Sequence, residues 1–252
     1  MAVAALLLSL IALTADPAAA ADNLCERGDF QRTYRNDFGG RDTISDWSIY
    51  NGPGHAGNGL RRPSAVKKYH GKLVITANRQ GNKTVSGGMS KRGLSQTYGC
   101  YRFRVRTDHD YSNVTSGVVM TWPTNTGKKN GGENDIYETT HRYSKRKPFM
   151  TFIHKPGDHS GNSREQHWYR HDAQADRYQI MTMVWTPDEM IIRREGLDIR
   201  DRYTVTEHTV PRSNIPHVPH HPTIQLDART GGMLSAPVRL ELDWFEVYRY
   251  TR

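Results

Sequence analysis

The sequence predicts an all-β protein, a sandwich of two antiparallel sheets. Three observations carry this. Short runs alternate apolar and polar residues; Gly/Pro/Asn/Asp clusters punctuate them; and no stretch shows a sustained helical period. Lys72–Ala77 is short and β-branched. In Cys100–Arg106, Tyr101, Phe103 and Val105 alternate with Arg102, Arg104 and Arg106, a half-buried strand with a basic outer face. Gly117–Trp122 is more continuously apolar, and Glu133–Glu138 follows it as a strand carrying three acids. Phe149–His154, Tyr178–Trp185 and Met190–Ile192 come next. Near the end, Val238, Leu240, Leu242 and Trp244 alternate with Arg239, Glu241 and Asp243. The turns are Asn51–Gly54, Thr126–Gly132, Lys155–Asp158 and Thr230–Gly232, and Pro211 to Pro222 excludes a helix there. Trp47, Trp185 and Trp244 read as core residues.

The ends and composition bound the class. Residues 1–21 hold a short apolar run closed by four alanines, Ala18 to Ala21. The run is too short to span a bilayer and reads as a secretory signal with Ala-x-Ala cleavage, the alternative being a membrane anchor. Residues 22–252 then form one soluble, extracellular domain, expected to be a monomer with no membrane contact once the signal is removed. Cys25 and Cys100 are the only cysteines. In a secreted chain they either pair or stay free, and neither spacing nor neighbours suggests zinc. The net charge of +9 favours acidic partners. The basic residues are scattered, with small clusters at Lys67-Lys68 and Lys145-Arg146-Lys147, and no nucleic-acid motif appears. Asn82-Lys83-Thr84 and Asn113-Val114-Thr115 are sequons that matter only in a eukaryotic host.

The chemistry concentrates in Glu133-Asn134-Asp135-Ile136-Tyr137-Glu138. Strand alternation puts Glu133 and Asp135 on one face and sends Glu138 to the other. One extra residue, a β-bulge at Ile136-Tyr137, brings Glu138 back. Like charges side by side do not help folding. Glycoside hydrolysis does require them, because one carboxylate attacks while another holds a proton for the leaving group. The alternative is a charged strand edge that blocks aggregation.

Gly132 to Glu138 resembles the active-site strand of family-16 glycoside hydrolases in its bulged, laminarinase-like form. Tyr98–Arg106, Gly117–Pro123, Trp185–Asp188 and Leu242–Tyr248 resemble other strands of the same family. Two positions depart: Tyr178-Gln179 stand where the family often has Phe-His, and Asn134 stands where it usually has an aliphatic residue. The resemblance implies a β-jelly roll of the concanavalin A-like lectin and glucanase type, with Glu133 as nucleophile, Glu138 as acid/base and Asp135 as the helper between them. It implies Trp122 as a sugar-stacking platform and His154 as a partner of a sugar hydroxyl or of Glu138. Tyr137, His141, Tyr143, Trp168 and Tyr169 are weaker cleft candidates. It further implies Asp243 as the ligand of a structural calcium, against the plainer reading of a surface strand Asp. No cofactor is expected for catalysis. The expected activity is endo-acting, retaining hydrolysis of an extracellular β-glucan, β-1,3 or mixed-linkage. The positive charge keeps a second reading, hydrolysis of an acidic or sulfated galactan, and the sandwich keeps a third, a non-catalytic lectin.

Overall fold

Alternating side chains need two surfaces, one wet and one dry, and the chain supplies both by stacking two sheets. The computed structural model describes residues 22–126, 131–140, 148–157, 166–196 and 205–252; the segment 1–21, read above as a secretory signal, and the Lys145-Arg146-Lys147 cluster lie outside them. The strands are β1 (Phe30–Asn36), β2 (Ser48–Ile49), β3 (Gly52–Pro53), β4 (Leu60–Arg61), β5 (Val66–Tyr69), β6 (Lys72–Gln80), β7 (Lys83–Ser90), β8 (Gly99–Thr107) and β9 (Thr115–Pro123). They continue as β10 (Glu133–Glu138), β11 (Phe149–His154), β12 (Gln166–His171), β13 (Gln179–Trp185), β14 (Met190–Gly196), β15 (Val205–Thr209), β16 (His220–Ala228) and β17 (Val238–Tyr250).

One sheet runs β12-β11-β10-β9-β16-β7-β2 and carries the acid strand near its middle. The other runs β15-β14-β13-β8-β17, and β17 is continued by β6 along its first half and β1 along its second, with β5 outside β6. The β6–β7 hairpin joins the two layers. All pairings are antiparallel except β4 with β7. This is the all-β sandwich the alternation predicts.

The core lies between the layers. Val119, Ile136, Tyr137, Phe149, Ile153, Ile224 and Leu226 from the acid-bearing sheet meet Phe103, Val105, Met181, Met183, Trp185, Leu240, Leu242 and Phe245 from the other. Buried aromatics satisfy their polar atoms: the Trp47 Nε1–H donates to the Tyr34 hydroxyl at 3.0 Å and that of Trp185 to the Pro216 carbonyl at 3.0 Å. Cys25 and Cys100 are bonded across 75 residues and sit in a second small cluster with Leu24, Val184, Ile191 and Tyr248. In the chain-entropy account a loop of that length contributes about 4 kcal/mol. The bond ties the N-terminal segment to β8.

Trp244 departs from the expected alternation. A bulge between Leu242 and Trp244 inserts Asp243 into β17, so both Asp243 and Trp244 face outward and Phe245 takes the core position. The Trp244 ring lies between the guanidinium groups of Arg35 and Arg102, at 5.6 and 5.3 Å from its centroid.

Candidate active site

Strand β10 is bulged where the carboxylate pattern requires it. Against β11, Asp135 pairs with Phe152 and Glu138 with Met150, so two residues on one strand, Ile136 and Tyr137, oppose one on the other, Thr151. Against β9 the extra residue falls at Ile136. The bulge turns Ile136 and Tyr137 both toward the core, and returns Glu138 to the face of Glu133 and Asp135. Glu133, Asp135 and Glu138 are only 7%, 4% and 5% exposed. Three carboxylates this close and this dry cannot all ionise freely.

Glu138 shows the consequence. Burial first, then the charges of Asp135 and Glu133, push its carboxyl up to about 7, against the opposing pull of Arg229 and of a hydrogen bond from Ser116. The Ser116 hydroxyl donates to Glu138 Oε1 at 3.2 Å, and Arg229 Nη1 lies 3.7 Å from the same oxygen. A carboxyl of this kind is still protonated near neutrality and can act as an acid. Asp110 fixes both partners from a distance. Its carboxylate accepts from the backbone N–H of Val114 and Thr115, setting the start of β9 just before Ser116. The Arg229 N–H in turn donates to the Val114 carbonyl at 2.7 Å.

His154 stands opposite Glu133 across the β10–β11 ladder. Its Nε2 lies 3.4 Å from Asp135 Oδ2, so the carboxylate it meets is the middle one of the three. Glu133, Asp135 and His154 bring one donor atom each within 4.8 Å of one another. Among the described residues, this is the group whose donors converge closely enough for an ion, and it coincides with the acid cluster. Asp243 is elsewhere, on the other sheet, paired with Arg104. A carboxylate already paired with an arginine is a poor calcium ligand.

Trp122 lies on the acid face of β9, in the phase of Ser116, Val118 and Met120; the register Asn134↔Thr121 carries it opposite Glu133. It is partly open, as a platform must be. Of the weaker candidates, Tyr137 is in the core with its hydroxyl donating to Thr107 Oγ1 at 3.0 Å. Tyr169 faces away from the acids, donating to the Thr209 carbonyl at 2.6 Å and stacking on His208. Trp168 does face the acid side. His141 and Tyr143 lie outside the described residues.

A polar layer backs the acid strand. Asn134, fully buried, donates from Nδ2 to Thr121 Oγ1 at 2.9 Å, and Thr121 Oγ1 lies 3.1 Å from His220 Nδ1. His220 Nε2 is 2.9 Å from the Gly131 carbonyl. A carbonyl only accepts, and Nδ1 is farther from its own carbonyl neighbour, Thr121 O at 3.3 Å, so the shorter contact puts the proton on Nε2 and leaves Nδ1 to accept from the Thr121 hydroxyl. Burial keeps this imidazole neutral by lowering its pKa to about 4. Asn134 thus joins a chain of hydrogen bonds that reaches the turn ahead of Glu133. That turn requires Gly132. Its φ is +76°, and a Cβ there would sit 2.7 Å from the His154 carbonyl oxygen.

At the far side of β16, Asp227 is paired with Arg61, whose Nε donates to Oδ1 at 2.8 Å, and Arg61 lies over the Tyr50 ring at 5.1 Å. Gly88 makes room for that ring, since a Cβ would stand 2.8 Å from Tyr50 Cδ2.

No family model and no curated protein matches the chain. Solved structures do. The laminarinase from Flavobacterium sp. UMI-01 superposes with a TM-score of 0.69 at 20% identity, over 87% of this chain and 100% of that one. The endo-β-1,3-glucanase from Pyrococcus furiosus gives a TM-score of 0.70 at 16% identity, over 88% and 95%. SCLam, a non-specific endo-β-1,3(4)-glucanase from family GH16, gives 0.68 at 19% identity, over 89% and 93%. The chain has the jelly-roll fold of these enzymes.

Proposed function

We propose that the chain is a retaining endo-β-glucanase of the family-16 glycoside hydrolase type, acting on β-1,3 or mixed-linkage glucan. The observation that supports this most is the bulged acid strand, with Glu133, Asp135 and Glu138 on one face and Glu138 held protonated to about neutral pH. The solved structures sharing the fold are of enzymes described as laminarinases and endo-β-1,3(4)-glucanases.

The chemistry follows from the two environments. Glu133, ionised, attacks the anomeric carbon; Glu138, protonated, gives its proton to the departing glycosidic oxygen. Glu138, now ionised, takes a proton from the incoming water as the glycosyl–Glu133 ester breaks, and both groups return to their starting states. Asp135 and His154 orient and tune the pair, and Trp122 receives the apolar face of a pyranose. A binding protein has no use for a carboxyl tuned in this way, which argues against the lectin reading.

The galactan reading rests on the charge. Two of the described cations on the acid face, however, are already matched: Arg229 with Glu138 and Arg61 with Asp227. These two pairs favour a neutral polymer as the substrate. The test is reducing-end release from a panel of laminarin-type, mixed-linkage and sulfated polymers at low and high salt. Cleavage of the neutral glucans, little changed by salt, is expected. A chain that cuts only the sulfated polymer, and loses that activity as screening rises, reverses the assignment.

No helix among the described residues is long and apolar enough to cross a membrane. Secretion rests on the leader at residues 1–21.

A further inference from the structure

We infer that Trp168 on β12 is a second sugar-stacking platform, lying outside the reacting centre and binding a distal ring of the same polysaccharide chain; this rests on the glucanase reading. The register carries it. Asp135 on β10 pairs with Phe152 on β11, and Phe152 pairs with Trp168 on β12. Directly paired residues share a face, so Trp168, Phe152 and Asp135 form one row across the sheet. Two strand spacings put Trp168 roughly 10 Å from the acid strand, beyond the ring at the scissile bond.

The indole is built as a platform. Trp168 is 53% exposed, an unusual state for the largest aromatic side chain. Among the described residues it stands on the last strand of its sheet, where an apolar ring invites edge-to-edge association unless it has a purpose. The β11–β12 ladder is regular over all six pairs, and the reverse face of β12 is pinned. Tyr169 is bonded to Thr209, and His171 Nε2 lies 2.9 Å from Thr151 Oγ1. The ring is thus presented by a fixed backbone, which lowers the ordering cost of binding. Gln166 and Arg170 flank it on the same face, with amide and guanidinium donors suited to sugar hydroxyls; Arg170 also pairs with the exposed Asp172 at 3.4 Å. Phe152, partly open, continues the apolar surface toward the acids. The occupant is a sugar chain running across the strands, because this surface is continuous with the row that holds Asp135.

The test is the dependence of kcat/KM on chain length. In the wild type, kcat/KM should rise from short β-glucan oligosaccharides to the polymer. Trp168→Ala should flatten that rise, with about a 10-fold loss on the polymer, largely in KM, and Trp168→Phe should recover part of it. Thermal unfolding of both variants guards against a folding defect. Retardation of the inactive Glu138→Gln chain in glucan-containing gels, lost in the double variant with Trp168→Ala, reads binding directly. A wild type that cuts glucan while Trp168→Ala keeps the full chain-length rise overturns this inference alone. So does an equal loss at every chain length. A wild type that neither cuts nor is retarded by any glucan defeats the glucanase reading and this inference with it.

Discussion

Glu133→Gln and Glu138→Gln should each lose turnover on polymeric glucan by about 10²- to 10⁴-fold while the fold persists. The isosteric amide at position 133 has no charge to attack the anomeric carbon. The one at position 138 has no acidic proton for the leaving oxygen. The two losses should differ in kind. An aryl glycoside with a good leaving group needs little protonation, so Glu138→Gln should recover its first step on such a substrate and Glu133→Gln should not. Stability should move the other way. Glu138 has a folded pKa raised to about 7 from an ordinary 4.5, so it favours folding below the unfolded value and loses that contribution as pH rises through 7. Glutamine has no ionisation to penalise, and Glu138→Gln should be at least as stable as the wild type at pH 8. Near-native rates in either variant, with a normal unfolding transition, would remove the assignment.

The alkaline limb of kcat/KM should follow Glu138 and should move in opposite directions when its two charged neighbours are neutralised. The limb marks loss of the acid's proton, near pH 7 in the wild type. The Asp135 charge raises the Glu138 pKa, so Asp135→Asn should carry the limb to lower pH. Arg229 lowers it, so Arg229→Gln should carry the limb to higher pH. A displacement of about one unit corresponds to 1.4 kcal/mol of interaction between charge and proton. Asp135→Asn should also lower the plateau, because the His154 contact is weakened. Limbs that move together, or remain in place, would show that another group controls the alkaline side.

Much of this was legible in the sequence because strand alternation and the carboxylate spacing are local. The bulge in β10 follows from an odd separation between Glu133 and Glu138, and the core positions of Tyr101, Phe103 and Val105 follow from their period. What was not legible depends on partners far away in the chain. Strand β16 contains Pro222, an argument against a central strand. It is tolerated because β7 ends at Ser90, opposite Thr223, so the missing N–H falls where the ladder has stopped; the Pro222 carbonyl on that side accepts from Lys91 N at 3.1 Å. Strand β7 holds Gly87 and Gly88, and nothing in the alternation of the run marked it as a strand. Here they are glycines because the Val66 and Tyr50 side chains pack against their backbone. The bulge at Asp243 lies in a run whose apolar alternation continues unbroken through it, so the outward turn of Trp244 left no mark in the pattern. Arg229 and Ser116 sit 91 and 22 residues from Glu138, and the only hint of either was a turn beside one and a strand starting just after the other.

The account stands or falls on one carboxylate attacking while its neighbour gives a proton, and the anomer released first reports that directly. Wild-type chain digesting a laminarin-type glucan should be followed by proton NMR from the first minute, before mutarotation. Double displacement through Glu133 predicts that the new reducing ends appear as the β-anomer and drift to the equilibrium mixture only afterwards. Initial appearance of the α-anomer would mean that water attacks in a single step, and Glu133 would not be a nucleophile.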